Sequence, residues 1–258
     1  SDVSRAAESG PASKSQPPSA TKAPVQRMPQ PSLEEKQIPL SAMRRTIARR
    51  LVESIGPVPH FFLTVEADVT ELMSLRAQIN EIEGVKTSVN DYVVRAAALS
   101  LLRHPAVNSS FTPEAIHQHG DVHVGIAVAT PEGLITPVIR NTDGKSVMEI
   151  SAVGRDLAER ARSRRLRPDE YQGSTFTISN LGMFGIEEFT AIINPPNSAI
   201  LAVGAAGPKP VVRERRVVVR EMMKMTMSCD HRVIDGATGA EFLRTLKQYL
   251  EQPVRLVL

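Results

Sequence analysis

The sequence holds 258 residues, 41% of them hydrophobic and 4% aromatic, with 31 basic against 28 acidic side chains and a net charge of +3. That is enough to build a sizeable core in one large or two small domains, while near-balanced charge and few stacking rings argue against nucleic-acid binding. No apolar run approaches the roughly 18 residues of a membrane span, no signal peptide is evident, and the single cysteine rules out an internal disulfide framework and suits a reducing compartment.

Residues 1 to 36 are rich in Ser, Ala, Pro, Gln and Lys, as in Ser13-Lys14-Ser15-Gln16-Pro17-Pro18, and carry almost nothing to bury. They read as a disordered linker of a longer multidomain protein, or alternatively as a plain disordered tail, and residues 37 to 258 as the folded part. From the capping residue Ser41, Met43, Ile47 and Leu51 recur every four positions among Arg44, Arg45, Arg49 and Arg50, the pattern of an amphipathic helix. Phe61 to Val69 reads as a strand, Glu71 to Ile82 as a helix, and Ser88 to Leu102 as a second helix with a stripe of Val93, Ala96, Ala97 and Leu101. Val122 to Ala129 and Leu134 to Ile139 read as two strands joined through Pro131-Glu132-Gly133, and Met148 to Leu166 as a charged surface helix closed by Pro168. Further strands are expected at Phe176 to Ser179, Ala191 to Asn194, Ala199 to Val203, Val211-Val212 and Val217 to Val219. Glu221 to Ser228 alternates, with Met223, Met225 and Met227 on one face, which predicts a half-buried strand. Phe242, Leu243, Leu246, Tyr249 and Leu250 fall at helical spacing, so a last helix should begin near Asp235, a good N-cap type. Strands and helices mix without regular βαβ alternation, which points to an α+β sandwich with helices on one face of a mixed sheet.

Two stretches carry chemistry. In Asp230-His231-Arg232-Val233-Ile234-Asp235-Gly236 a histidine and a carboxylate stand four residues apart where strand gives way to helix. With an unperturbed pKa of about 6.5, such a histidine can take a proton from a thiol or hydroxyl and return it, or it can be a hydrogen-bonded loop residue. Asp235 also reads as a simple cap. Cys229, in the alternating strand, is either a small core residue or a nucleophile. No second His or Cys cluster has metal-ligand spacing, so no metal is expected. In the second stretch, Thr177-Ile178-Ser179-Asn180-Leu181-Gly182-Met183-Phe184-Gly185, a strand ends in Ser179-Asn180 and two glycines follow three apart. Ser179 and Asn180 are turn residues, or Ser179 is a hydroxyl donor beside backbone made flexible by Gly182 and Gly185.

Together these stretches, with Ile193-Asn194-Pro195-Pro196, Pro39-Leu40-Ser41-Ala42-Met43-Arg44, Val58-Pro59-His60-Phe61, Ser88-Val89-Asn90-Asp91 and Gly133-Leu134-Ile135-Thr136-Pro137, resemble the catalytic core of the dihydrolipoyl acyltransferases, the central component of 2-oxoacid dehydrogenase complexes. The resemblance covers residues 37 to 258. It is greatest to the acetyl-transferring members of pyruvate dehydrogenase complexes. It implies a chloramphenicol acetyltransferase-like sandwich as a trimeric building block of a 24-mer or 60-mer core, with the active site between subunits. His231 would be the catalytic base, supported by Asp235 and its partner Arg44, and Ser179 of a neighbouring chain the oxyanion donor.

Coenzyme A is then a substrate, and by family position Arg76, Ser88, Asn180, Met183 and Gly204 would line its channel. Arg76, on a charged helix, has an equally good reading as a solvated residue. Ala129 stands where the family often carries an acidic residue. The lipoyl group would ride on a separate lipoyl domain outside this chain. Missing N-terminal domains would bind the 2-oxoacid dehydrogenase and dihydrolipoamide dehydrogenase components. The compartment would be cytoplasmic in a bacterium and the mitochondrial matrix in a eukaryote. Alternatives are a catalytically inactive scaffold, a branched-chain or other acyltransferase, and a stand-alone acetyltransferase for a small hydroxyl compound. The apolar tail Val254 to Leu258, like family segments that join trimers, speaks against the last.

Overall fold

The computed structural model describes residues 34–257. Most of the linker expected over 1–36 thus lies outside the described residues; residues 34–40 are exposed and without regular structure.

From Leu40 onward the chain forms one compact unit. The five helices are α1 (Ala42–Ile55), α2 (Thr70–Glu83), α3 (Val89–Arg103), α4 (Val147–Arg162) and α5 (Gly236–Glu251). Their starts follow short-range chemistry. Ser41 accepts the Arg44 N–H, Ser88 and Asp91 form a reciprocal capping box, Ser146 and Glu149 form another, and Asp235 accepts the Thr238 N–H at 2.7 Å. Helix α2 stops at Gly84 in the left-handed region, φ 63°.

The main sheet is mixed and six-stranded. Its order is β1 (His60–Asp68), β10 (Arg216–Asp230), β9 (Ala199–Arg213), β8 (Phe176–Asn180), β4 (Val124–Ile126), β7 (Val138–Ile139), with β8 parallel to both neighbours and the other pairs antiparallel. Two short hairpins stand apart: β2 (Ser109–Phe111) with β3 (Ile116–Gln118), and β5 (Val128–Thr130) with β6 (Gly133–Ile135). Because side chains alternate along a strand, Phe61, Leu63, Val65 and Ala67 share a face with the paired Cys229, Met227, Met225 and Met223. That face packs with Leu72, Tyr92, Val93, Phe242 and Leu246 into the core. The fold class is the α+β arrangement expected.

Several elements depart from expectation. Each of the two strands foreseen between Val122 and Ile139 is divided: β4 and β7 stay in the main sheet, while β5 and β6 leave it as a hairpin. The division falls at Ala127, whose N–H goes to Ile178, and at Pro137, which has no N–H to donate. The charged helix ends at Arg162, with Arg164 at positive φ, four residues earlier than its composition suggests. The valine pairs belong to one long ribbon, β9 and β10, closed by Glu214-Arg215 at φ 48° and 63°. Such a turn favours Asn or Gly, so its sequence signal is absent. Ala191 to Asn194 is not a strand. It belongs to a strap, residues 186–194, lying on the sheet face that carries His60, Phe62, Thr64 and Glu66.

The strap explains why β10 is not half-buried. Thr226 and Ser228, on the polar side of the alternation, are 2% and 0% exposed. Its tethers are side chains: Lys209 and Lys224 hold Glu187, Lys224 and Thr64 reach Glu188, Ser228 Oγ donates to Ala191 O at 2.6 Å, and Ser54 Oγ donates to Ile193 O at 2.7 Å. The strap enters over a bulge where Gly204 and Ala205 face Lys224 alone. A Cβ on Gly204 would overlap the Glu187 carbonyl oxygen, and one on Gly182 would lie 2.7 Å from the Gly204 carbonyl oxygen. Gly182 therefore serves close approach, and Gly185, at φ 74°, a left-handed turn; neither is there for flexibility. Gly204→Ala should force the backbones apart and lower unfolding stability by about 3 kcal/mol, readable from the urea midpoint. A loss too small to shift the midpoint would mean that the strap is not held against β9.

Candidate active site

His231 leaves the end of β10 on a turn before α5. Its N–H donates to Pro59 O at 3.0 Å, and its ring lies 4.6 Å from the Phe61 ring, centroid to centroid. Asp230 and Arg232 do not compete for it. The Arg232 guanidinium bonds the buried Asp230 carboxylate, Nε to Oδ1 at 3.0 Å and Nη2 to Oδ2 at 2.8 Å, and stacks 4.0 Å above Phe111. The imidazole of His231 is exposed and makes no hydrogen bond among the described residues, so its nitrogens can face a substrate.

Asp235 takes the capping role. The Thr238 backbone N–H, then its hydroxyl, then the Ala237 N–H and last the nearby His231, hold its carboxyl below the usual range. The pair expected between Asp235 and Arg44 is not formed within the single chain, where Asp235 Oδ1 caps α5 and Arg44 makes no ion pair among the described residues. Cys229 is fully buried and burial pushes its thiol up to about 12, so it is a core residue and no thiolate nucleophile. Among the described residues no His, Cys, Asp and Glu cluster could hold a metal.

Ser179 lies elsewhere. It pairs with Ala202 on β9, which pairs with Thr226 on β10, so it sits level with Thr226 while His231 is five residues further along the chain, just past the end of β10. At about 3.3 Å per residue the two are roughly 16 Å apart along the strands, and two strands apart across the sheet. One chain cannot bring both to the same carbon. Ser179 is half-buried, and its hydroxyl takes no hydrogen bond among the described residues.

The five other expected positions lie beyond Ser179, linked through intervening neighbours. Asn180 Nδ2 donates to Asn90 Oδ1 at 2.9 Å in the first turn of α3, whose cap is Ser88, and Asn180 Oδ1 accepts the Gly182 N–H, which sets Gly182 against Gly204. Met183, in the 3-10 turn Gly182–Phe184, is 81% exposed. Arg76 lies one turn before Asn80, whose side chain holds Thr87 next to Ser88. Its Nε is buried without a partner, which a plain solvated arginine would not show. Sequence reading missed Asn90 and the part played by Pro59 and His60. Only their place in quoted motifs marked them.

An α+β unit with a mixed sheet, helices on one face and an unengaged histidine at the strand end before the last helix defines the chloramphenicol acetyltransferase-like class. Chloramphenicol acetyltransferase itself superposes with a TM-score of 0.51 at 16% identity, over 75% of this chain and 89% of that one. More narrowly, the chain belongs to the family of 2-oxoacid dehydrogenases acyltransferase (catalytic domain), whose family model matches residues 32–258. It is 45% identical over 227 residues to the dihydrolipoyllysine-residue acetyltransferase component of the pyruvate dehydrogenase complex of Rhizobium meliloti, covering 85% of this chain and 51% of that protein. The mitochondrial counterpart of Dictyostelium discoideum is also 45% identical, over 89% of this chain and 37% of that protein. The chain thus spans about half or less of these relatives. The crystal structure of Azotobacter vinelandii dihydrolipoamide acetyltransferase superposes with a TM-score of 0.84 at 38% identity, covering 89% of this chain and 99% of that one.

Proposed function

We propose that the chain transfers an acetyl group between dihydrolipoyl-lysine and coenzyme A and builds the core of a pyruvate dehydrogenase complex. One spacing carries the reading. In the Azotobacter enzyme the serine, histidine and asparagine investigated for their role in catalysis are 52 and 4 residues apart, and Ser179, His231 and Asp235 are spaced identically here, with aspartate in the third place.

The chemistry follows from the geometry. Neutral His231 removes the proton from the coenzyme A thiol, and the thiolate attacks the thioester carbon on dihydrolipoyl-lysine. Ser179 donates a hydrogen bond to the tetrahedral oxyanion. Collapse expels the dihydrolipoyl sulfur, which His231 protonates. Because Ser179 and His231 are too far apart within one chain, His231 and Asp235 come from one subunit and Ser179 from its neighbour in a trimer. Asp235 caps α5 and so steadies the turn carrying His231; in the assembly Arg44 pairs with it. Arg76, Ser88, Asn180, Met183 and Gly204 hold coenzyme A, and the unpaired Arg76 Nε fits an anionic partner.

Residues 1 to 36 are the tether and 37 to 258 the catalytic and assembly domain. The lipoyl group arrives on a separate domain, and the trimers join into a 24-mer or 60-mer; a solved cubic core of the pyruvate dehydrogenase multienzyme complex superposes with a TM-score of 0.84. The 2-oxoacid dehydrogenase and dihydrolipoamide dehydrogenase components attach through N-terminal domains. Bacterial and mitochondrial relatives fit a cytoplasmic or a mitochondrial-matrix home. The test is acetyl transfer from acetyl-CoA to free dihydrolipoamide, run beside a particle-mass measurement. Turnover by trimers or their multiples is expected. Assembled particles without turnover would make the chain a scaffold.

A further inference from the structure

We infer that His60 is a positioning residue that locks the strap to the turn carrying His231, through contacts made by both of its ring nitrogens. The inference deepens the acyltransferase reading and rests on it for its catalytic consequence.

His60 opens β1 and is paired with Asp230, one residue before His231. Both ring nitrogens are engaged. Nδ1 lies 2.8 Å from Val58 O, and a carbonyl only accepts, so Nδ1 carries the proton. Nε2 lies 3.3 Å from the Ile193 N–H, and an N–H only donates, so Nε2 must offer its lone pair. The two bonds together call for the tautomer that carries its proton on Nδ1. Through them and the Pro59 carbonyl, the turn at 58–60, the strap end at Ile193 and the His231 backbone are connected. The Val58-Pro59 turn is closed against the ring, and Pro59 O in turn accepts the His231 N–H. Ile193 is the far end of the strap, its own carbonyl taken by Ser54 of α1. Asn194 then returns toward Thr177 on β8, with Nδ2 3.3 Å from Thr177 Oγ1, two residues before Ser179.

His60 is therefore the point where the backbone that seats His231 meets the segment that leaves β8 after Ser179 and comes back to it. Losing the Ile193 bond uncouples the strap from the turn at 58–60, whose Pro59 carbonyl seats the His231 backbone. A displacement of about 1 Å in a base suffices to cost up to about 100-fold in rate, so the effect should appear in kcat rather than in binding.

Two near-isosteric substitutions separate the bonds. The amide of glutamine reaches the Nε2 position and can accept from Ile193, whereas that of asparagine reaches the Nδ1 position and can only restore the bond to Val58. The expected result is that His60→Gln keeps kcat within about threefold of wild type while His60→Asn and His60→Ala lose at least about tenfold, with KM for coenzyme A little changed. Hydrogen exchange by mass spectrometry over 186–194, on the same assembled particles, should show strap protection kept in His60→Gln and lost in the other two. Rescue of kcat by asparagine and not glutamine would overturn the inference, as would unchanged strap exchange in His60→Ala. The exchange readout needs no turnover, so a wild type without acetyl transfer would sink the functional reading while the tether is still judged.

Discussion

Replacing His231 by alanine is expected to lower kcat for acetyl transfer by about 10²- to 10⁴-fold, the usual worth of a general base. The loss should come without loss of folding or assembly, because the side chain is exposed and makes no hydrogen bond among the described residues, while the backbone N–H bonds Pro59. Alanine keeps that bond. Melting temperature and particle mass should stay at wild-type values while turnover from acetyl-CoA to dihydrolipoamide falls. This separation distinguishes catalysis from a scaffold role, for which the histidine would be dispensable. Full activity in His231→Ala would end the case for this histidine as base. Cys229 cannot substitute for it, since its thiol sits fully buried on the core face of β10.

The parts of the fold that were legible in the sequence are those fixed by neighbours in the chain. Ser41, Ser88 and Asp235 announce helix starts because each cap bond spans three residues. The methionines of β10 announce a strand because alternation is local. The strap failed this test. Ala191 to Asn194 has the composition of a strand, yet its partners are Ser54, His60 and Ser228, brought in by tertiary contact and using side chains where a strand would use a ladder. Lys224, Thr226 and Ser228 read as a solvent face for the same reason, since nothing near them in the sequence reveals a cover. The turn at Glu214-Arg215 lacks the residues that favour positive φ, and β2 and β3 are only three residues long.

The site divides along the same line. His231 and Asp235 are legible as a pair because four residues separate them on one connection. Arg76 is ambiguous in sequence, as any arginine on a charged helix is, and only the buried, unpartnered Nε distinguishes it. Ser179 has no local signal beyond a strand end. Its relation to His231 came through family resemblance, and the register explains why no spacing rule could supply it: in one chain the two lie two strands and several residues apart.

That separation makes the second large effect a test of the unit of function. Ser179→Ala should lower kcat by about 10²- to 10³-fold with KM nearly unchanged, the usual loss for one oxyanion donor. Folding should be spared, because β8 is held there by backbone pairing to Ala202 and the hydroxyl makes no hydrogen bond among the described residues. Mixing then adds information that neither variant gives alone. In particles assembled from equal amounts of Ser179→Ala and His231→Ala chains, a site between an intact His231 and a neighbour's intact Ser179 is complete, and random association makes about a quarter of the sites so. Activity should therefore rise far above that of either variant. A site built within one chain would gain nothing from mixing, since each chain would carry one lesion. Recovery of activity would show that the roughly 16 Å between Ser179 and His231 along the strands is bridged by a second subunit and not by movement within one.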